Sequence, residues 1–263
     1  MAVSPLPLCL LLCATGLVRA AEDPPHRVVS LAPSITQTIA AIGATDRLVA
    51  VTPFCEAPPS LARIKGGIQP DPESVLAFAP DLVLLTSMTP ESTRRQLIRL
   101  GLRVETIDSR SLEDIRANIT RVAALLGTNQ APLAATAAPP AERSAALLFG
   151  AEGTFSAGRG THADEIMQQA GLRNIAAEAS GPWPQLGEEF LLSADPDLLV
   201  VADYNGTSKS EVLKIMRNDP VRRHLRAVEE GHVVVFPAGA FTVPGPDALA
   251  AGEELRALLE TNP

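Results

Sequence analysis

Short aliphatic, β-branched runs alternate along this chain with segments whose apolar positions recur every three to four residues. Residues 27–32, 48–52, 81–86 and 103–108 read as strands, and 34–43, 73–79, 91–101 and 112–127 read as helices. The second half repeats the scheme. Residues 145–151, 197–203 and 232–237 are strand-like, and 162–170, 188–194, 209–217 and 247–260 are helix-like. Strand and helix in alternation predict mainly parallel sheets covered on both faces. The expected fold class is therefore α/β, with two Rossmann-like lobes and a ligand cleft between them.

One short pattern occurs twice. Residues 73–86 read ESVLAFAPDLVLLT and residues 189–202 read EFLLSADPDLLVVA. Glu73 and Glu189 lead, Pro80 and Pro196 fall at the same offset, and Asp81 and Asp197 follow before an apolar strand. One supersecondary unit thus recurs in each half, with one acidic residue at matching places. Between the halves, residues 128–142 read TNQAPLAATAAPPAE, and Pro139-Pro140 should stop any helix there. Two readings stand: a surface loop or an inter-lobe connection. On the second, a lobe at 21–127 is followed by a connection at 128–144 and a lobe at 145–263.

Composition narrows the function classes. A net charge of −8 argues against nucleic acid and anionic membrane surfaces, because neutralising phosphates takes clustered Lys and Arg. Only 3% of the residues are aromatic, so Ala, Leu and Val must do most of the packing. Residues 6–18 are apolar but too short to span a bilayer, and Val18-Arg19-Ala20 offers a site for a signal peptidase. We expect an exported, periplasmic protein cleaved after Ala20, with no direct membrane insertion. Cleavage removes Cys9 and Cys13, and Cys55 is then left without an internal disulfide partner. Cys55 reads as a packed small side chain.

Ligands of open α/β sheets bind beyond the carboxyl ends of the strands. The segments to inspect are therefore Pro33-Ser34, Pro53-Phe54, Ser87-Met88, Tyr204-Asn205 and residues 238–241, and Phe241 with Ala240 and Thr242 is expected in the cleft. Phe54 precedes a Pro-rich turn and offers a flat apolar contact, with a core position as the alternative. Trp183 sits between Pro182 and Pro184 in an extended, exposed loop. Gly158-Arg159-Gly160-Thr161 precedes a helix, whose free N–H groups with Arg159 would meet an anionic or amide group; a plain capping turn is the alternative. The four histidines show no paired metal-ligand spacing, so no metal site is expected. No nucleophile elbow, zinc-protease motif or paired Cys-His nucleophile points to an exported α/β enzyme.

Taken together, these motifs resemble the periplasmic solute-binding proteins of ABC importers for cobalamin and ferric siderophores, most closely the cobalamin branch. The resemblance rests on RVVSLAPSITQTIAAIGATDRLVAVT at 27–52, FCEAPP at 54–59, PDPESVLAFAPDLVL at 70–84, GRGTHADEIMQQAGLRNIA at 158–176 and PWPQLGEEFLLSADPDLLVV at 182–201. It implies two lobes joined by one long helical connection. It implies cobalamin or a related corrinoid as the transported ligand, with no cofactor. A ferric siderophore or haem is the alternative, Tyr204 then being an iron ligand or a plain contact. The implied partners are an ABC permease dimer and its cytoplasmic ATPase subunits. Glu73 and Glu189 match the family's docking glutamates, which face permease arginines; the plain alternative is helix-dipole stabilisation in a first turn. Phe54 matches an aromatic ligand position, whereas Gly67 and Thr86 stand where a member of the family has tryptophans.

Overall fold

The computed structural model describes residues 23–130 and 133–261, so the expected leader at 1–20 and its cleavage point after Ala20 lie outside the described residues. The first half runs β1 (Val28–Ser30), α1 (Pro33–Ala41), β2 (Leu48–Val51), β3 (Ala62–Arg63), α2 (Pro72–Leu76), β4 (Leu82–Leu85), α3 (Glu91–Arg99), β5 (Val104–Thr106) and α4 (Leu112–Leu125). The second runs β6 (Arg143–Phe149), α5 (His162–Gln169), β7 (Leu172–Asn174), α6 (Glu188–Ala194), β8 (Leu198–Asp203), α7 (Lys209–Asn218), α8 (Arg226–Glu229), β9 (Val233–Pro237), α9 (Gly239–Thr242) and α10 (Ala248–Thr261).

These form a five-stranded sheet in the order β3-β2-β1-β4-β5 and a four-stranded sheet in the order β7-β6-β8-β9. Each pairing is parallel, in a register such as Val28 beside Leu82 and Leu147 beside Val200. β4 is buried along its whole length, as a strand sandwiched between helices must be. In both sheets the first strand of the half, β1 or β6, lies inside the sheet, with neighbours added on both sides. That reversal of strand order opens a crevice at the carboxyl edge.

The repeated pattern has a structural half. Ala79 and Asp195, at the same offset after the two glutamates, adopt φ of 42° and 32°. Non-glycine residues seldom take this left-handed conformation. Each turns the chain sharply out of a helix and into its proline. Asp81 then accepts the backbone N–H groups of His26 and Arg27 at 2.8 and 3.0 Å, just before β1. Asp197 likewise accepts the N–H and hydroxyl of Ser144 at 2.9 and 2.6 Å, inside β6. In each half the repeated aspartate therefore ties the incoming strand to the sheet's first strand.

α4 belongs to both cores. Ser111 caps it by accepting the Asp114 N–H at 3.0 Å, and Asp114 returns the contact to the Ser111 N–H. Its apolar positions then split. Leu112, Ile115 and Ile119 pack with Leu147, Ile166 and Leu255 of the second half. Val122, with Leu126 at the C-cap, packs with Ile39 and Leu84 of the first. α4 thus contributes side chains to both cores. The segment between α4 and β6, residues 126–142, contains no helix or strand among its described residues. Its prolines deny it helical hydrogen bonds. It is strapped down instead: Arg116 donates to the Ala134 carbonyl at 3.2 Å, and the Glu142 N–H donates to the Gly171 carbonyl at 3.1 Å. Cys55 is buried beside the Thr52 hydroxyl at 3.2 Å, a packed thiol.

Candidate ligand cleft

The carboxyl ends of the strands converge on two cavities. One, about 310 Å³, is walled by the first half: Pro33 and Ser34 beyond β1, Thr52 and Phe54 beyond β2, Gly67 and Ile68, and Thr86 and Met88 beyond β4. The other, about 560 Å³, faces the second half: Phe149 ending β6, Phe155, His162 opening α5, Trp183, and Tyr204 beyond β8, with Ser109 and Arg110 beyond β5. Met88, Thr242 and Pro244 line both, so the cavities are two parts of one cleft between the lobes.

The surface of this cleft is apolar and uncovered. Phe54 is 59% exposed, Met88 82%, Trp183 43% and Tyr204 65%; Ile68 and Phe155 are exposed with them. Large apolar side chains gathered on one concave surface mark a place where something binds. Phe54 lies where the sequence allows it. Gly67 has φ of +56°, and a Cβ there would stand 3.3 Å from the Phe54 ring. A larger residue at 67 would compete with the phenyl ring for the same wall.

Trp183 is fixed by backbone contacts. The N–H groups of Ser156 and Gly158 donate to the carbonyls of Pro184 and Pro182, each at 2.9 Å. Gly158 is required for that approach, because a Cβ there would meet the Gly181 carbonyl oxygen at 2.1 Å. The indole then packs edge-on against Phe149 at 5.9 Å and His162 at 6.1 Å between ring centroids. His162 is held neutral: burial pushes its pKa from 6.5 down to about 4, opposed in part by the Phe241 backbone. Among the described residues lining the two cavities, Arg110 is the one permanently charged side chain.

The structure thus brings Pro33, Ser34, Phe54, Trp183, Tyr204 and Thr242 to the cleft, and it corrects three expectations. Phe241 is fully buried, edge-on to Phe236 at 5.6 Å in the second core. α9 turns it inward, and Ala240 packs on the same core, which leaves Thr242 as the exposed one of the three expected residues. Arg159 is exposed but lines neither cavity; the cation at the cleft is Arg110. Arg110 was legible as a residue just past the strand at 103–108, by the same strand-end rule that pointed to Phe54. His162 is hidden inside a helix-start motif, Phe149 lies within a strand-like run, and nothing in the sequence singles out Phe155.

Glu73 and Glu189 are both exposed in the first turns of α2 and α6. Each of these helices precedes a parallel strand, so its start lies on the edge where strands end, flanking the cleft. Among the described residues no cluster of three or more His, Cys, Asp or Glu is arranged to hold a metal ion, and no helix is long and apolar enough to cross a membrane.

The sequence profile described as periplasmic binding protein matches residues 28–240, which takes in both sheets and most of the residues lining the cleft. The chain belongs to the periplasmic binding protein family. A vitamin B12-binding protein of Pectobacterium atrosepticum is 29% identical over 216 residues, spanning 73% of this chain and 75% of its own length. The periplasmic vitamin B12 binding protein of Vibrio cholerae superposes with a TM-score of 0.70 at 22% identity, covering 90% of this chain and 98% of that one. The periplasmic heme binding protein of the same organism gives 0.73 at 22% identity, covering 89% and 99%. As a periplasmic binding protein the chain carries the family's α/β fold and is a binding module, not an enzyme.

Proposed function

We propose that this protein captures cobalamin or a related corrinoid in the cleft between its lobes and delivers it to the permease dimer of an ABC importer. The character of the cleft carries this reading: a wide, apolar, nearly uncharged surface edged by Phe54, Met88, Trp183 and Tyr204. A corrin ring is broad and apolar, with uncharged amide arms, and it needs area more than cations. A siderophore complex or the propionates of haem would call for several cationic partners, where Arg110 stands alone. The vitamin B12-binding relatives support this choice, and the heme binding neighbour supports the second reading. A second reading, haem, is favoured by one observation: Tyr204 is exposed at the cleft and offers a phenolate to iron.

Calorimetric titration with cyanocobalamin, with haem and a ferric hydroxamate as competitors, tests the reading. One-to-one binding of cyanocobalamin that neither competitor displaces is the expected result. Preferential binding of haem, lost in Tyr204→Phe, would move the assignment to the second reading.

Glu73 and Glu189 are read as docking points, one per lobe, for basic groups on the two permease subunits, with ATPase subunits on the cytoplasmic side. Exposed carboxylates at matching places on two lobes suit a two-fold receptor, and such charges chiefly set orientation and encounter rate. Export with cleavage after Ala20, and lobes at 21–127 and 145–263, complete the proposal.

A further inference from the structure

Arg110 carries the one permanent charge on the walls of the cleft among the described residues. Its backbone is fixed from both sides. The N–H donates to Asp114 at 2.9 Å, and the carbonyl accepts the N–H of His162. Because residue 110 follows β5 and His162 opens α5, that bond pins Arg110 where the two halves meet. The side chain is exposed, lines the larger cavity, and makes no hydrogen bond or ion pair among the described residues. Carboxylates bonded to the chain nearby are turned to backbone N–H groups instead. Asp108 accepts from Ser87 at 2.7 Å, Asp114 from Ser111 at 3.0 Å and Glu165 from Leu112 at 2.6 Å. Asp114 feels the guanidinium only as the last of the influences that hold its carboxyl below the ordinary range, the Ser111 N–H being the first. A cation without an ion pair, on an otherwise uncharged apolar wall, is suited to an anion that arrives with the ligand.

We propose that Arg110 determines specificity: its guanidinium pairs with the phosphodiester in the nucleotide arm of a complete cobalamin, and so favours the complete molecule over a corrinoid that lacks the arm. The inference rests on the corrinoid reading given above. The other arms of cobalamin end in neutral amides, and the phosphodiester is the one anion on its periphery. One cation thus meets one anion. The two free oxygens of a phosphodiester match the guanidinium fork, which donates two parallel N–H bonds. Phe155 and Trp183 line the same cavity, and a ligand that covers them expels water and leaves the pair less screened. Haem fits this place less well, since its two propionates would leave one carboxylate without a cation.

A cycle over one residue and one ligand arm tests this. Titrations use cyanocobalamin, haem, and dicyanocobinamide, which keeps the corrin and its amides but lacks the nucleotide arm. Thermal unfolding of each ligand-free protein is the folding control. Arg110→Gln should weaken cyanocobalamin about tenfold more than it weakens dicyanocobinamide, the scale of one charge-assisted hydrogen bond. Arg110→Lys keeps the charge and loses the fork, and its effect should fall between. Independently of any variant, added NaCl should weaken cyanocobalamin binding to the unmodified protein more than dicyanocobinamide binding, because an ion pair holds only the former. Equal losses for the two corrinoids, unchanged cyanocobalamin binding by Arg110→Gln, or equal salt dependence would each overturn the inference and leave the corrinoid reading standing. Haem binding with no binding of either corrinoid by the unmodified protein would overturn that reading and the inference with it.

Discussion

Asp81 and Asp197 look in the sequence like companions of the two glutamates, but their work is different. They hold backbone N–H groups at the start of each half's first strand. Ser144 and then Arg226 keep the Asp197 carboxyl well below the usual carboxylate range. The glutamates stay exposed and take no part in this. Sequence alone could show the repeat; only geometry divides it into a structural pair and a pair left for something else. Aromatics were uneven in the same way. Trp183 was legible because two prolines forbid it a place in a helix or strand. Phe241 was not, because the four-residue α9 decides by its rotation whether residue 241 or 242 faces out, and no periodicity is readable over one turn. His162 adds a consequence for stability. Its folded pKa of about 4 lies below its ordinary 6.5. Between those values the unfolded chain takes up a proton that the folded chain excludes. Stability is therefore fully present above about pH 6.5 and falls as pH drops toward about 4, by up to about 3 kcal/mol from this residue. Urea unfolding across that window should show a shallower decline in His162→Phe, and equal slopes would contradict this account.

Among the elements, the long apolar strands and the helices with a full amphipathic period could be read directly. The strands β3 and β7 could not. β3 has two residues, and β7 reads Leu-Arg-Asn, with no apolar run to announce it. Each is a strand only because a parallel neighbour supplies its hydrogen bonds. α4 is the more instructive case. Its sequence shows a good capping box and an apolar stripe, which fixes a helix but not what the stripe packs against. The structure gives half of the stripe to each core. Ile115, 1% exposed, sits among residues of the second half although its helix closes the first. Ile115→Ala should cost about 2–5 kcal/mol, the range for emptying a packed aliphatic site. Because the helix is shared, chemical denaturation should remain a single transition whose midpoint moves. Loss of the second half at lower urea, with the first unaffected, would show that α4 does not couple the lobes.

At the scale of the molecule, two sheets meet through α4 and a strap without regular structure, and the cleft lies where their strand ends face each other. The α/β class and the two-lobe plan were readable from strand–helix alternation and the internal repeat. The route of the connection was not, because Pro139-Pro140 said only where a helix cannot be. If Glu73 and Glu189 are docking points, a Glu73→Arg/Glu189→Arg protein should bind its ligand with unchanged affinity while delivery to permease in proteoliposomes falls at least tenfold. A comparable loss of ligand affinity would sink the docking assignment. Finally, the chain has one tryptophan and one tyrosine, and both line the same cleft. Its near-ultraviolet absorbance and its indole emission therefore come almost wholly from that surface. A corrin or porphyrin arriving there would accept excitation from the indole at contact range, so the protein carries its own optical gauge of occupancy and can be followed, unlabelled, on the timescale of loading.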